Sequence, residues 1–258
     1  MRHDSGKAIA SVEIGRGRAT AFSGRLDRAL KRTIDVALAA TLLVLVSPLI
    51  AFLALAIKLD SKGPVFYRCR RVGRHGCALQ MLKFRKMRAD ASGPALTAPD
   101  DQRFTRLGSF LARTKLDELP QLWNVLTGEM SLVGPRPEDP AFVESHRNAY
   151  SMILEVRPGI TGLSQLAFAS ESEILDPEDR VGHYVNRILP QKIGMDRLYA
   201  RQRTLGMDLT ILWWTLRAVV CGNAVAVHRA TGQLTPRAPR TIPLEERSPS
   251  VLLHHKAS

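Results

Sequence analysis

Cysteine is scarce in this chain, which has only Cys69, Cys77 and Cys221. An odd number at scattered spacing is no disulfide framework, and His75 between the first two makes at most a three-ligand set for zinc. Reduced thiols facing a cytoplasm are the expected state. Aromatics are few as well, at 6 % of residues. Lys and Arg are spread along the chain rather than set on one recognition helix, so no base-stacking platform is expected and no nucleic-acid partner. Acid is short: 37 Lys and Arg face 24 Asp and Glu, a net charge of +13. That surplus favours an anionic lipid surface or a phosphorylated substrate. There is no internal repeat.

Long uncharged runs are lacking too, with one exception, Val36 to Ile57. Counted from Ile34 it has 24 residues, which reach about 36 Å as a helix, against a hydrocarbon core about 30 Å thick. It is too long, and begins too late, for the core of a secretory signal, so an uncleaved membrane segment is expected. Yet Ser47-Pro48 falls near its middle, where proline removes a backbone donor and clashes with the preceding turn.

The flanks bear on that proline. Upstream of Thr33 stand eight Lys or Arg and three acids, and from Lys58 to Asp90 ten and two. Positive residues collect on the cytoplasmic side of membrane segments, so a simple spanning helix puts one flank on the wrong side. A re-entrant helix-break-helix hairpin, broken at Ser47 and Pro48, keeps both flanks cytoplasmic. Its arms, of roughly 14 and 9 residues, are each too short to cross. The Ser47 hydroxyl can serve a backbone group that the proline frees. A kinked spanning helix is the alternative.

The chain divides into a basic Gly- and Ser-rich tail (1–24), an amphipathic lead-in with the membrane segment (25–62), a folded body (63–228) and a Pro-rich, disordered tail (229–258). Within the body, "PVFYRCRRVG" reads as a strand and "LQMLKFRKM" as a second extended or mixed segment. Leu107, Phe110 and Leu111 have helical spacing, and "PQLWNVLTG" reads as a helix begun by Pro120 and ended by Gly128. "SLVGPRPEDP" and "EVRPGITGLSQ" read as loop and turn, and residues 184–227 as helix. Leu209 to Val220, with Trp213 and Trp214, reads as an amphipathic helix lying on the membrane rather than a buried core helix.

Candidate chemistry sits in three places. Asp117-Glu118 stands in a basic neighbourhood just before the helix begun by Pro120, and both features keep carboxylates ionised. An ionised carboxylate can bind Mg²⁺ or attack phosphorus, although a bare acidic pair is more often a solvated helix start. In "GPRPE", Pro135 and Pro137 stiffen the backbone around Arg136, whose planar fork suits phosphate. In "KFRKMR", Lys83, Arg85, Lys86 and Arg88 suit either a diphosphate or anionic headgroups.

Taken in order from about Lys31 to Gln165, these motifs resemble the bacterial sugar transferases, the monotopic phosphoglycosyl transferases that start surface glycan assembly. "LDELPQLWNVLTGEMSLVGPRPE" is the most specific stretch. The resemblance implies a mostly α protein with a small amount of β (α+β). It implies a re-entrant hairpin broken at Ser47-Pro48, interfacial helices and a compact catalytic domain on the cytoplasmic face of the inner membrane. It also implies transfer of a sugar-1-phosphate from a UDP-sugar to polyprenyl (undecaprenyl) phosphate, with Mg²⁺ and release of UMP. Asp117 would be the nucleophile of a covalent phosphosugar intermediate. Glu118 would assist in metal binding and in activating the lipid phosphate, so both carboxylates are candidate metal ligands. Arg136, Arg113, Lys83 and Arg85 would hold phosphate, within a structural motif of Pro135, Pro137 and Glu138. Ala112 and Lys115 stand where the family commonly has arginine and serine, which leaves Lys115 to restore a lost charge. Membrane lipid and other glycan-assembly enzymes are the further partners, and a homo-oligomer is left open. The rival reading is a non-catalytic, basic, membrane-anchored binding protein.

Overall fold

The apolar run folds into a single helix, α1 (Arg25–Asp60). The computed structural model describes residues 24–93, 96–98, 101–176, 178–222 and 225–236. The N-terminal tail, apart from Gly24, and the C-terminal tail beyond Pro236 lie outside the described residues. Among the described residues α1 is the one helix long and apolar enough to cross a membrane, and only 11 % of its most apolar window is buried. The sequence leads to two arms parted at Ser47-Pro48, whereas the residues stay helical through Pro48. The lost donor is compensated locally. Pro48 leaves the carbonyl four residues back, that of Val44, without its helical partner. Ser47 Oγ donates to that oxygen at 2.8 Å.

One face of α1 is packed along most of its length. Ala39 is buried in the main core with Leu43 and Val46 beside it, while Ile50, Leu53, Ala54 and Ile57 meet Phe84 and Leu111. Their spacing of three or four makes one helical stripe. The rest of the surface carries Val44, Leu45, Phe52, Leu55 and Leu59, all exposed, an apolar area far beyond scattered surface residues. Polar ties fix the start of the packed stripe. Arg32 donates to the carbonyls of Val125 and Leu126 at 2.7 and 3.1 Å. Asp35 accepts from Ser131 Oγ at 2.7 Å, and Lys31 pairs with Asp208 at 2.7 Å.

The body follows in short elements. β1 (Phe66–Val72) and β2 (Ala78–Phe84) form an antiparallel hairpin with Phe66 opposite Phe84. α2 (Arg106–Thr114) is capped by Thr105, whose Oγ1 accepts from the Gly108 amide at 2.9 Å. α3 (Gln121–Thr127) follows Pro120 and stops at Gly128, whose φ of 91° is a left-handed conformation that only glycine takes without a Cβ clash. The two turn-rich stretches contain strands after all. β3 (Ser131–Val133) runs parallel to β4 (Gly159–Thr161), with α4 (Pro140–Ser145) and α5 (Arg147–Tyr150) between them. Three residues are too few to display an alternating pattern.

After β4 come α6 (Leu163–Ala167), α7 (Glu171–Ile174), α8 (Arg180–His183), a π-helical turn at Tyr184–Ile188, α9 (Leu189–Gln202) and α10 (Leu205–Cys221). α10 is amphipathic in a different sense from the one expected. Met207, Ile211 and Trp214 are buried in the core, while Leu209, Trp213, Leu216, Val219 and Val220 are exposed. It is a core helix on one face and an apolar surface on the other. The reading of a tail from residue 229 also gives way in part, because β6 (Leu234–Pro236) pairs antiparallel with β5 (Val225–Val227). The described fold is thus mostly helical, with three two-stranded sheets.

Candidate active site

Asp117 and Glu118 lie on a 3-10 turn, Leu116–Glu118, between α2 and α3. Lys115 makes this turn possible. Its φ of 60° ends α2 in a left-handed conformation, uncommon for a residue with a side chain, and redirects the backbone into the turn. Asp117 is 2 % exposed and Glu118 half-buried. Such carboxylates need compensation, and three cations supply it. Lys86 Nζ lies 3.2 Å from Asp117 Oδ2. Glu118 Oε1 lies 3.1 Å from Lys83 Nζ and 3.5 Å from the Arg136 guanidinium.

Each partner is held by the local fold. β2 is fastened to α3 through Asn124, whose Oδ1 accepts from the Leu82 amide at 2.9 Å and whose Nδ2 donates to Gln80 O at 3.0 Å. That bond sets Lys83 against the helix that continues from the two carboxylates. The Arg136 loop is tied at both ends. Gly134 N donates to Thr161 O, Gly159 N to Pro135 O, and Val72 N to Glu138 O, at 2.8 to 3.0 Å. Tyr184 OH donates to Glu138 Oε2 at 2.7 Å. Gly134 and Gly159 pack backbone to backbone, so close that a Cβ on Gly159 would lie 2.1 Å from Gly134 N. Rigid tethering of this kind fixes Arg136 before any ligand arrives.

The electrostatics follow from these contacts. Burial disfavours the charge on Glu118, but Lys83 and Arg136 outweigh it and hold the carboxyl well below the usual range. For Arg136, burial acts to lower the guanidinium, while Glu118, Glu138 and Glu171 more than reverse this and push it up. Both groups are therefore charged at neutral pH. A carboxyl held so far down is a poor proton acceptor and a good partner for cations.

Among the described residues, no group of three or more His, Cys, Asp and Glu is placed to hold a metal. The two carboxylates still suit Mg²⁺. Asp117 Oδ2 is buried and makes no hydrogen bond, because Lys86 stands near it without hydrogen-bond alignment. Mg²⁺ typically takes one or two carboxylates and completes its shell with water and substrate phosphate.

Of the residues singled out in the sequence, Asp117, Glu118, Lys83 and Arg136 come together. Pro135, Pro137 and Glu138 form the tethered loop. Arg85 does not join them. It is buried, and its guanidinium donates to Ser61 O and Lys62 O at 2.8 and 2.5 Å, closing the end of α1. Arg113 is exposed on the last turn of α2 and makes no hydrogen bond or ion pair among the described residues. Ser47 and Pro48 are exposed in α1, apart from this cluster. Lys86 is the member that sequence reasoning left among several basic residues. Strand alternation pairs Lys83 with Arg85. However, β2 ends at Phe84, which sinks into the core; Arg85 then turns under and Lys86 reaches Asp117.

The bacterial sugar transferase family matches residues 26–222 of the chain. A UDP-glucose:undecaprenyl-phosphate glucose-1-phosphate transferase of Escherichia coli is 38 % identical over 203 residues, covering 76 % of this chain and 41 % of that protein. The exopolysaccharide production protein PSS of Rhizobium leguminosarum is 38 % identical over 200 residues, 74 % of this chain and 95 % of its own length. A UDP-N-acetylgalactosamine-undecaprenyl-phosphate N-acetylgalactosaminephosphotransferase of Aeromonas hydrophila is 33 % identical over 198 residues, 75 % of this chain and 44 % of the relative. The chain thus spans about two-fifths of the E. coli and Aeromonas relatives and nearly all of the Rhizobium one. With the carboxylate pair, the tethered arginine and a match over most of its length, the chain belongs to the bacterial sugar transferase family.

Proposed function

We propose that the chain transfers a sugar-1-phosphate from a UDP-sugar to a polyprenyl phosphate, undecaprenyl phosphate by analogy with its relatives, as an opening step of surface glycan synthesis. The observation that carries this is the buried Asp117 carboxylate beside a second carboxylate and three fixed cations, Lys83, Lys86 and Arg136. Two anionic substrates repel each other and an anionic nucleophile. Fixed positive charge offsets that repulsion without reorganising during the reaction.

In the first step an Asp117 carboxylate oxygen attacks the phosphorus that bears the sugar. The bond from that phosphorus to the bridging oxygen breaks, the electron pair stays with UMP, and an aspartyl-phosphosugar ester remains. In the second step a phosphate oxygen of the lipid attacks the same phosphorus and expels the Asp117 carboxylate, giving polyprenyl-diphosphosugar. The covalent intermediate splits one transfer between anions into two. Lys86 places a positive charge beside Asp117 and positions it for attack. Arg136 and Lys83 receive phosphoryl oxygens, with Glu118 fixing the direction of both side chains. Mg²⁺ held by Asp117 and Glu118 would supply Lewis-acid charge to the phosphoryl oxygens. The low-lying Glu118 carboxyl favours this cation-holding role over proton removal from the lipid phosphate.

The membrane reading is a monotopic one: α1 enters and leaves the lipid on the cytoplasmic side of the inner membrane. The stripe from Ala39 to Ile57 packed against the body supports it, since a helix crossing the bilayer would carry α2, α3 and β2 to membrane depth with it. Leu38 of α1 and Leu209 of α10 line one cleft, and both helices carry further exposed apolar residues suited to lipid. Basic residues on both sides of the segment agree with it.

The test is UMP release by the full chain in detergent, with Mg²⁺, polyprenyl phosphate and a panel of UDP-sugars. Release from at least one donor is expected. No release across the panel by folded protein contradicts the proposal.

A further inference from the structure

Besides Glu118, the Arg136 loop has a second charged neighbourhood. Glu138, two residues on, accepts from Tyr184 OH at 2.7 Å. Lys192 Nζ donates to the same hydroxyl at 3.2 Å, lies 4.8 Å from the centre of the Tyr184 ring, and pairs with Glu171 Oε2. Tyr184 is 1 % exposed and Lys192 4 %, which is rare for an ammonium group and costs free energy that one structural tie does not require. Glu171 differs: its side chain is 24 % exposed. Its Oε2 is held by Lys192, while Oε1 makes no hydrogen bond among the described residues. Tyr184 also begins the π-helical turn, a local irregularity that occurs disproportionately at functional sites. Through Lys192, Tyr184 and Glu138 in turn, Glu171 is tied by three successive contacts to the loop that carries Arg136.

We propose that Glu171 is a specificity-determining residue, its free carboxylate oxygen accepting a hydrogen bond from a ring hydroxyl of the donor sugar while Lys192 and Tyr184 hold it in place. The proposal rests on the transferase reading and adds to it where the sugar is sensed. A carboxylate accepts from hydroxyl groups and has nothing to offer another acceptor, so it discriminates between epimers that move one hydroxyl out of reach. Polar sites of this kind discriminate strongly, because the wrong ligand leaves a desolvated group unpaired. Lys192 is too buried to meet the sugar itself, and its role is to fix which oxygen of Glu171 stays available.

The experiment compares kcat/KM for UMP release by the full chain with UDP-glucose, UDP-galactose, UDP-N-acetylglucosamine and UDP-N-acetylgalactosamine. The proteins are the wild type, Glu171→Gln and Tyr184→Phe. Glu171→Gln is expected to change the ratio between the best and second-best donors by roughly tenfold. Tyr184→Phe should move the same ratio in the same direction by less. A structural brace would instead lower all donors by one factor and leave the ratios as they are, which overturns the assignment. If Glu171→Gln loses its melting transition, Glu171→Asp, which keeps the charge and shortens the reach, carries the same comparison. UMP release by the wild type with unchanged ratios in the variants defeats this assignment alone. No release by the wild type defeats the transferase reading and this assignment with it.

Discussion

Lys86 Nζ stands 3.2 Å from Asp117 Oδ2, pairing the buried carboxylate with an ammonium group that is itself 27 % exposed. The pair joins two segments separated by the whole of α2, and it distinguishes Asp117 from Glu118, which has two cations of its own.

The first prediction concerns that pair. Lys86→Met leaves Asp117 buried without its cation and should lower kcat for UMP release roughly 100- to 1,000-fold, the range typical of removing one preorganised electrostatic group. Lys86→Arg should recover most of the activity. Steady-state kinetics on both variants read the difference.

Gly159 predicts a backbone effect. A methyl group there would meet Gly134 N at 2.1 Å and Gly134 Cα at 2.6 Å, with backbone rather than a movable side chain in the way. Gly159→Ala should destabilise the chain by about 2 kcal/mol and displace the Arg136 loop. Chemical denaturation in detergent should show the first effect and a raised KM for the UDP-sugar the second.

Ser47 and Pro48 predict a coupling. The Ser47 hydroxyl serves Val44 O because Pro48 cannot. Ser47→Ala should therefore cost about 1 kcal/mol in the natural chain. It should cost almost nothing after Pro48→Ala restores the backbone donor, and a double-mutant cycle measures that interaction.

Asp196 predicts a pH effect. Burial raises its carboxyl to about 7, against the opposing pull of Ser164 and Lys192. Between the ordinary aspartate range and about pH 7 the folded state then holds a proton that the unfolded chain releases. Its contribution is greatest in acid, falls as pH rises through that window, and is level above it. Asp196→Asn removes the slope, so its stability relative to wild type should be higher at pH 8 than at pH 5, by about 2 kcal/mol. Denaturation of both proteins at the two pH values supplies the comparison.

Much of this architecture was legible in the sequence, for particular reasons. Pro120 and Gly128 marked both boundaries of α3, because a helix start accommodates proline and a left-handed end favours glycine. The proline in the apolar run pointed to a hydroxyl-to-backbone bond, and Ser47 makes it to Val44 O. Asp117, Glu118, Lys83 and Arg136 were found through motif order, and the structure brings them together. The departures share one cause, contacts between distant residues. Parallel pairing of β3 with β4, and antiparallel pairing of β5 with a segment read as tail, are invisible in runs of three residues. Arg85 and Lys86 look alike in sequence, and only the end of β2 decides which turns under and which reaches the carboxylates. The Tyr184, Lys192 and Glu171 cluster is assembled from three elements and leaves no local pattern.

Placement of α1 in the membrane has its own test. Single cysteines placed near Arg28 and Lys62, in a chain whose other cysteines are removed, should be labelled from the same face of the membrane. Labelling from opposite faces would make α1 a spanning helix.

The central claim is that Asp117 carries the sugar phosphate. Intact mass of the full chain after exposure to its UDP-sugar donor, without lipid acceptor, tests it most directly. A single phosphosugar adduct is expected, which disappears when polyprenyl phosphate is added and never forms on Asp117→Asn. An adduct that persists in Asp117→Asn, or UMP release that continues undiminished in that variant, would contradict the account.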